Sequence, residues 1–263
     1  MIKKKLKSNA NKIDRFLINF LKKQNNSLLI KPMKYGVISG GKKIRSTIIL
    51  DAGKLFNIKE SNLLNICAAV ECIHSYSLIH DDLPCMDNDK IRRGKPSTHI
   101  RFGEASAVLA GSSLLTLAFE IISDKKYSLS AKMKNEIVKF LASCSGHTGI
   151  AGGQELDLKF ENKKKSLNQI IDMQKKKTGK LFNFCLYAVG VVANKNLKEK
   201  NFLSILGEEI GLLFQLADDF LDKKGSKNLV GKPVKNDNKK GKSTLLNLMG
   251  EKRAYLYANN LKK

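Results

Sequence analysis

Residues 71–94 read ECIHSYSLIHDDLPCMDNDKIRRG. They place five carboxylates (Glu71, Asp81, Asp82, Asp87, Asp89) at the end of an apolar run, with Arg92 and Arg93 directly after, and four of the five fall within nine residues. Like charges about 4 Å apart repel by about 4 kcal/mol at an effective dielectric of about 20, so such a cluster stays solvated or is neutralised by cations. The apolar run before it argues against full solvation. Magnesium suits the task because it takes oxygen ligands and binds one or two carboxylates together with substrate phosphates. The stretch therefore predicts a phosphorylated ligand, for which Arg92 and Arg93 offer a planar fork matched to phosphate oxygens. An acidic helix end beside a basic turn is the alternative for this stretch alone.

A second cluster closes another long apolar segment, where residues 216–222 read LADDFLD. On a helix Asp218 and Asp222 lie four apart on one face, with Asp219 about a quarter turn away. Two such clusters, each ending an apolar helix, are far more specific than one. Together they resemble the trans-prenyl diphosphate synthases, and in particular their bacterial farnesyl-forming branch, in which two aspartate-rich motifs face each other across a cavity. The resemblance runs from about Ser39 to Thr244. It implies an all-α, isoprenoid-synthase helical bundle around a central cavity, and the chain reads as a single synthase domain, residues 1–263. Long helical periodicity and the scarcity of alternating apolar runs agree with an all-α fold.

Further motifs carry the resemblance. Residues 39–45 read SGGKKIR, where two glycines let backbone amides approach an anion and Lys42 and Arg45 stand three apart at a helix start. Alone the string is weak. The resemblance implies that Gly41, Lys42 and Arg45 hold the diphosphate of isopentenyl diphosphate, with His74 and Arg93. His74 lies seven residues before Asp81 and Ser77 four before, so all three share a face. Asp87 follows Asp81 by six residues, about 240° around a straight helix, and Pro84 is expected to bend the chain and return it. Lys177 and Thr178, in KTG, and Phe214 and Gln215 before Asp218 match two more family elements. The implied roles are contact with the allylic diphosphate for Lys177 and Arg92, and a place beside the carbocation for Thr178. The lysine-rich stretch 229–244 reads as a solvated charge run, onto which the family's two remaining diphosphate-binding lysines map as Lys232 and Lys242. Ser112 replaces a common aspartate, and Leu245-Leu246 replaces the usual Tyr-Pro. The chain stops at Lys263, shorter than typical bacterial relatives by a helix or more.

The expected reaction is head-to-tail condensation of an allylic diphosphate with isopentenyl diphosphate. Mg2+, two or three ions per site, is implied, with Asp81, Asp87 and Asp218 as direct ligands and Asp82, Asp219 and Asp222 in outer positions. The family's chain-length floor falls on Tyr76 and Ser77; one aromatic with one small residue, and two extra residues in the first motif, is the pattern of a fifteen-carbon product. A geranylgeranyl or other short-chain synthase is the nearest alternative. A non-catalytic subunit typically loses acidic motif residues, whereas six of six are kept here. A terpene cyclase would lack the second DDxxD and the GGKxxR element.

The formal net charge of +24 ordinarily suggests nucleic acid or an anionic membrane. Of 48 basic residues, however, only six are arginine, and interleaved aromatics are missing. No nucleic acid partner is expected. The basic N-terminus is followed by no apolar region of sufficient length, so neither a signal peptide nor stable membrane insertion is expected. Five cysteines without CxxC spacing read as small core residues of a reducing compartment, hence a cytoplasmic protein. The expected assembly is a homodimer.

Overall fold

The structure, a computed structural model, describes residues 2–24, 27–38, 40–224 and 244–261. Lys232 and Lys242 lie outside the described residues. The chain forms two compact units, Met1–Phe140 with Cys185–Lys200, and Leu141–Phe184 with Asn201–Lys263.

The first unit is built around α4 (Leu64–Asp81). Residues 66–73 of α4 are buried without interruption, the mark of a helix enclosed on every side. Against it packs α6 (Glu104–Ser123), whose buried Ala107, Ala110, Gly111, Leu114, Leu117 and Ala118 follow helical spacing. At Gly111 the approach is so close that a Cβ would lie 2.3 Å from His80 Nε2. By length and mean hydropathy, 1.7, α6 is apolar enough to cross a membrane; 44% of that window is buried. Its small buried residues fit packing along α4. The first helix, α1 (Ile2–Lys22), turns Ile13, Leu17 and Leu21 inward at four-residue spacing, one side of an amphipathic helix. The short α2 (Ile30–Ile38) and α3 (Ile44–Leu55) complete the wall beside α4. After α4 comes a two-stranded antiparallel hairpin, β1 (Ile91–Arg92) and β2 (Lys95–Pro96), followed by α5 (Thr98–Phe102). These are the only strands among the described residues, so the fold is all-α as expected.

The helix α7 (Ala131–Ser145) leads into the second unit, which holds α8 (Ile150–Phe160), α9 (Leu167–Gln174), a π-helical turn (Lys175–Gly179) and the start of α10 (Lys180–Val192). It also holds α11 (Leu197–Lys224) from Asn201 onward, α12 (Leu245–Met249) and α13 (Glu251–Asn260). Ser166 starts α9 with a capping box shared with Gln169. Thr244 caps α12 by accepting from the Asn247 amide at 3.2 Å. Its next two residues, Leu245 and Leu246, are buried with Ile170, Met173, Leu212 and Leu216, so the two leucines that stand at the Tyr-Pro position supply core.

Candidate active site

In the first unit, α4 does not continue through the acidic motif as a bent helix; it stops at Asp81. The Asp87 amide then donates to the Asp81 carbonyl at 2.8 Å, while the amides of Met86 and Asn88 close on Leu83. Asp87 therefore returns to Asp81 by a compact loop, the outcome expected of Pro84, reached by ending the helix. Both residues are half-exposed. Asp82 differs: it is 2% exposed, and Arg92 grips it with a fork of hydrogen bonds, Nε donating to Oδ1 at 3.0 Å and to Oδ2 at 3.2 Å. Arg92 also approaches Asp89 at 3.5 Å. Burial pushes the Asp82 carboxyl up, and Arg92 pulls the other way without prevailing.

The hairpin that delivers Arg92 turns at Arg93 and Gly94, with φ of 52° and 74°. Two left-handed central residues make a type I′ turn, which favours Asn or Gly over arginine at the first of them. Arg93 is thereby aimed at the glycine loop, where Nη1 donates to the Gly40 carbonyl at 2.7 Å. Gly41, at φ 104°, lies beneath that guanidinium; a Cβ would sit 2.9 Å from its central carbon. Lys42 is exposed and Arg45 half-buried at the second position of α3. His74 faces the same groups: burial, then Arg45, Arg93 and Lys43, hold its pKa well below 6.5, so it stays neutral at pH 7. The loop, Arg45, His74 and Arg93 lie together in one corner of the first unit, a grouping of cations and glycine backbone whose chemistry suits an anion.

Tyr76 is buried, meeting His80 edge-on with ring centroids 5.6 Å apart. Burial, then Asp81, pushes its phenol up. Ser77 is half-buried and donates to the His74 carbonyl at 3.0 Å.

In the second unit the KTG motif lies in the π-helical turn, a feature frequent at functional sites. Thr178 Oγ1 donates to Gln215 Oε1 at 3.1 Å, and Gln215 Nε2 donates to Asp219 Oδ1 at 3.0 Å. This relay links the turn to the acidic motif of α11. Asp218 is exposed, whereas Asp219 and Asp222 are buried, so burial groups Asp222 with Asp219 and leaves Asp218 to solvent. Lys177 Nζ donates to Asp157 Oδ2 at 2.6 Å.

Asp157, in the stretch GGQELD, carries no distinguishing signal in the sequence; only its contact with Lys177 gives it a task. Nothing in periodicity separates Lys43 from its neighbour Lys42.

The carboxylates suit a hard divalent cation. A main-chain hydrogen bond brings the half-exposed Asp81 and Asp87 together, and Asp222 Oδ1 is buried with no hydrogen-bond partner among the described residues. No three His, Cys, Asp or Glu side chains form a complete cage among the described residues.

Comparison with known proteins agrees with this geometry. The model of the polyprenyl synthetase family matches residues 26–261. The farnesyl diphosphate synthase of Bacillus subtilis (strain 168) is 39% identical over 259 residues, covering 92% of this chain and 88% of that protein. An FPP/GFPP synthase from Zymomonas mobilis, in an apo structure, is similar with a TM-score of 0.87 at 38% identity, over 99% of this chain and 89% of the other. A geranyltransferase from Helicobacter pylori, complexed with magnesium and isoprenyl diphosphate, has a TM-score of 0.81 at 33% identity, over 98% and 88%.

Proposed function

The chain belongs to the polyprenyl synthetase family, and we propose that within it the protein is a farnesyl diphosphate synthase, joining isopentenyl diphosphate to dimethylallyl and then geranyl diphosphate. The observation that carries this reading is the first unit itself. There a pair of half-exposed acidic residues, Asp81 and Asp87, lies one ion pair away from a cationic corner of Arg45, His74 and Arg93.

In the reaction the allylic C1–O bond breaks and its electron pair leaves with the diphosphate. The double bond of isopentenyl diphosphate attacks the allylic carbon, and a proton leaves the adjacent carbon. Departure of the diphosphate is the hard step. Asp81, Asp87 and Asp218 are read as the residues that would hold Mg2+, two or three ions in all, which would supply neutralising charge for the leaving diphosphate. Arg92, held by Asp82, and Lys177, held by Asp157, are read as donors to that anion, effective because they are fixed before charge develops, and Lys242 is read as a third donor. Lys42, Arg45, His74 and Arg93 hold the second substrate, converting an encounter into a positioned reaction. A neutral His74 is an uncharged donor suited to this corner, where a further cation would be repelled by Arg45 and Arg93. Thr178 and Gln215 line the hydrocarbon side, and Lys232 is read as a diphosphate contact. The released diphosphate accepts the final proton, since no side-chain base is assigned to it.

We read both units as one synthase domain, 1–263, consistent with a family match that runs through both. Homodimer assembly is proposed from α6, whose outer side exposes Val108 and Leu109. A cytoplasmic location is supported by five free thiols, four of them buried.

The deciding experiment supplies dimethylallyl and isopentenyl diphosphates with magnesium and identifies products by mass spectrometry. A fifteen-carbon diphosphate is expected. A twenty-carbon product would make the enzyme a geranylgeranyl synthase, and no product would favour the non-catalytic subunit.

A further inference from the structure

Lys43 sits beside the anion loop and turns the other way. Its neighbour Lys42 is exposed, but Lys43 is 4% exposed, and its backbone at φ 45° and ψ 48° is left-handed. An L-residue with a side chain is disfavoured in that conformation, and a buried ammonium is disfavoured without partners. Both costs are met at one residue, which requires surroundings that over-determine it. They do. Nζ donates to the Val37 carbonyl of α2 at 2.6 Å and lies 3.5 Å from both Asp14 of α1 and Glu71 of α4. Glu71, 2% exposed, also accepts from Ser46 Oγ of α3 at 2.7 Å. One buried charge cluster thus ties four helices together at the foot of the glycine loop.

The consequence falls on the groups above it. The left-handed turn at Lys43 ends the Gly40–Gly41–Lys42 loop and starts α3, so it sets where the Gly40 carbonyl meets Arg93 and where Arg45 leaves the helix. Glu71 stands one turn before His74 on α4. We propose that the buried Lys43–Glu71 pair, with Asp14, is a positioning device for the isopentenyl diphosphate subsite, holding Lys42, Arg45, His74 and Arg93 at the spacing needed to grip one diphosphate. This rests on the synthase reading and deepens it: neither residue touches substrate, and each acts through the loop and helix that do.

The test separates positioning from stability. Lys43→Met should raise the KM for isopentenyl diphosphate about tenfold, with the KM for geranyl diphosphate and kcat within about twofold, the signature of lost uniform binding to one substrate. Lys43→Arg, which keeps the charge, should recover most of that loss. The double variant Lys43→Met/Glu71→Gln removes both charges, and deleting a whole buried pair is tolerated far better than deleting half. Its Tm should therefore return towards wild type while its KM for isopentenyl diphosphate stays raised. A KM that recovers together with Tm would overturn the proposal and leave the cluster a purely structural one. Should Lys43→Met fail to fold, the double variant decides alone. A wild type that makes no prenyl product refutes the synthase reading and this role with it. A wild type that turns over while the variants keep its isopentenyl diphosphate KM refutes this role only.

Discussion

Gly153→Ala adds one methyl group and should disable the enzyme. Gly153 lies on α8 where that helix crosses the π-helical turn, and a Cβ built on it falls 2.2 Å from the Lys177 amide nitrogen and 2.5 Å from its Cα. Ordinary van der Waals contact begins near 3.4 Å, so the two backbones must part by about 1.2 Å at Lys177. The obstacle is main chain, which cannot swing aside as a side-chain tip can. Overpacking of this kind costs about 1–3 kcal/mol, equivalent to a Tm lower by about 2–12 °C in a chain of this size. The effect on turnover is larger. A misplacement of about 1 Å can cost about 100-fold in rate, and this one acts on Lys177 and, next to it, Thr178. The assay is steady-state kcat at 25 °C, far below the variant's Tm, with circular dichroism to establish that its helices persist. Gly146→Ala is the control, because the nearest atom to its Cβ is the Ala142 carbonyl oxygen at 3.2 Å. It should keep wild-type kcat. A Gly153→Ala enzyme with kcat within about threefold of wild type would refute the reasoning that the position of the π-helical turn governs turnover.

Asp81→Asn and Asp218→Asn should each lower turnover by orders of magnitude with helical content intact; near-normal turnover in either would remove its carboxylate from the metal set. Arg93→Gln and Lys42→Ala should raise the KM for isopentenyl diphosphate more than that for the allylic substrate, and Arg92→Gln the reverse, whereas equal effects would mean the anchors are assigned to the wrong subsites. Tyr76→Ala should remove a buried ring from α4 and shift products towards twenty carbons, so an unchanged fifteen-carbon product would place the floor elsewhere. Burial raises the Glu208 carboxyl, but Lys180 at 2.8 Å and Lys175 at 3.2 Å outweigh it and hold its pKa below 4.5. A depressed carboxylate pKa contributes stability that is present above the unfolded value and lost as pH falls through the folded one. Glu208→Gln should therefore flatten the fall of Tm below about pH 4.5, and an unchanged slope would assign the acid lability to other groups.

The features legible in sequence are those that depend on residues close along the chain. Helix phase placed His74 and Ser77 on one face with Asp81, and α4 runs as a helix through all three. Pro84 marked the break in α4, although not whether the helix would bend or stop; the stop depends on Asp87 closing on the Asp81 carbonyl, six residues away. What stayed hidden depends on partners distant in sequence. Lys42 and Lys43 are chemically identical neighbours, and only Glu71 and Asp14 distinguish them. Asp157 acquires meaning through Lys177, twenty residues later. The hairpin escaped notice because an arginine at φ 52° contradicts the residue preferences of its turn.

That contradiction also explains how the two charged ends of the first unit are coupled. A helix enclosed as fully as α4 has no room for free carboxylates, so its charged residues must lie at its end or be paired. Asp81 and Asp87 take the first course, and Asp82 takes the second. Buried as it is, with its pKa raised by desolvation, Asp82 is tolerable only while Arg92 is docked on it. Arg92 is the last residue of β1, so docking it fixes the next residue, Arg93, in its left-handed turn, and Arg93 in turn holds the Gly40 carbonyl. The ion pair is thus the joint between the carboxylate edge and the anion loop. Loss of Asp82 would act on both sides: it would release the strained turn, and it would leave Arg92 free to compete for Asp81 and Asp89, which already face it.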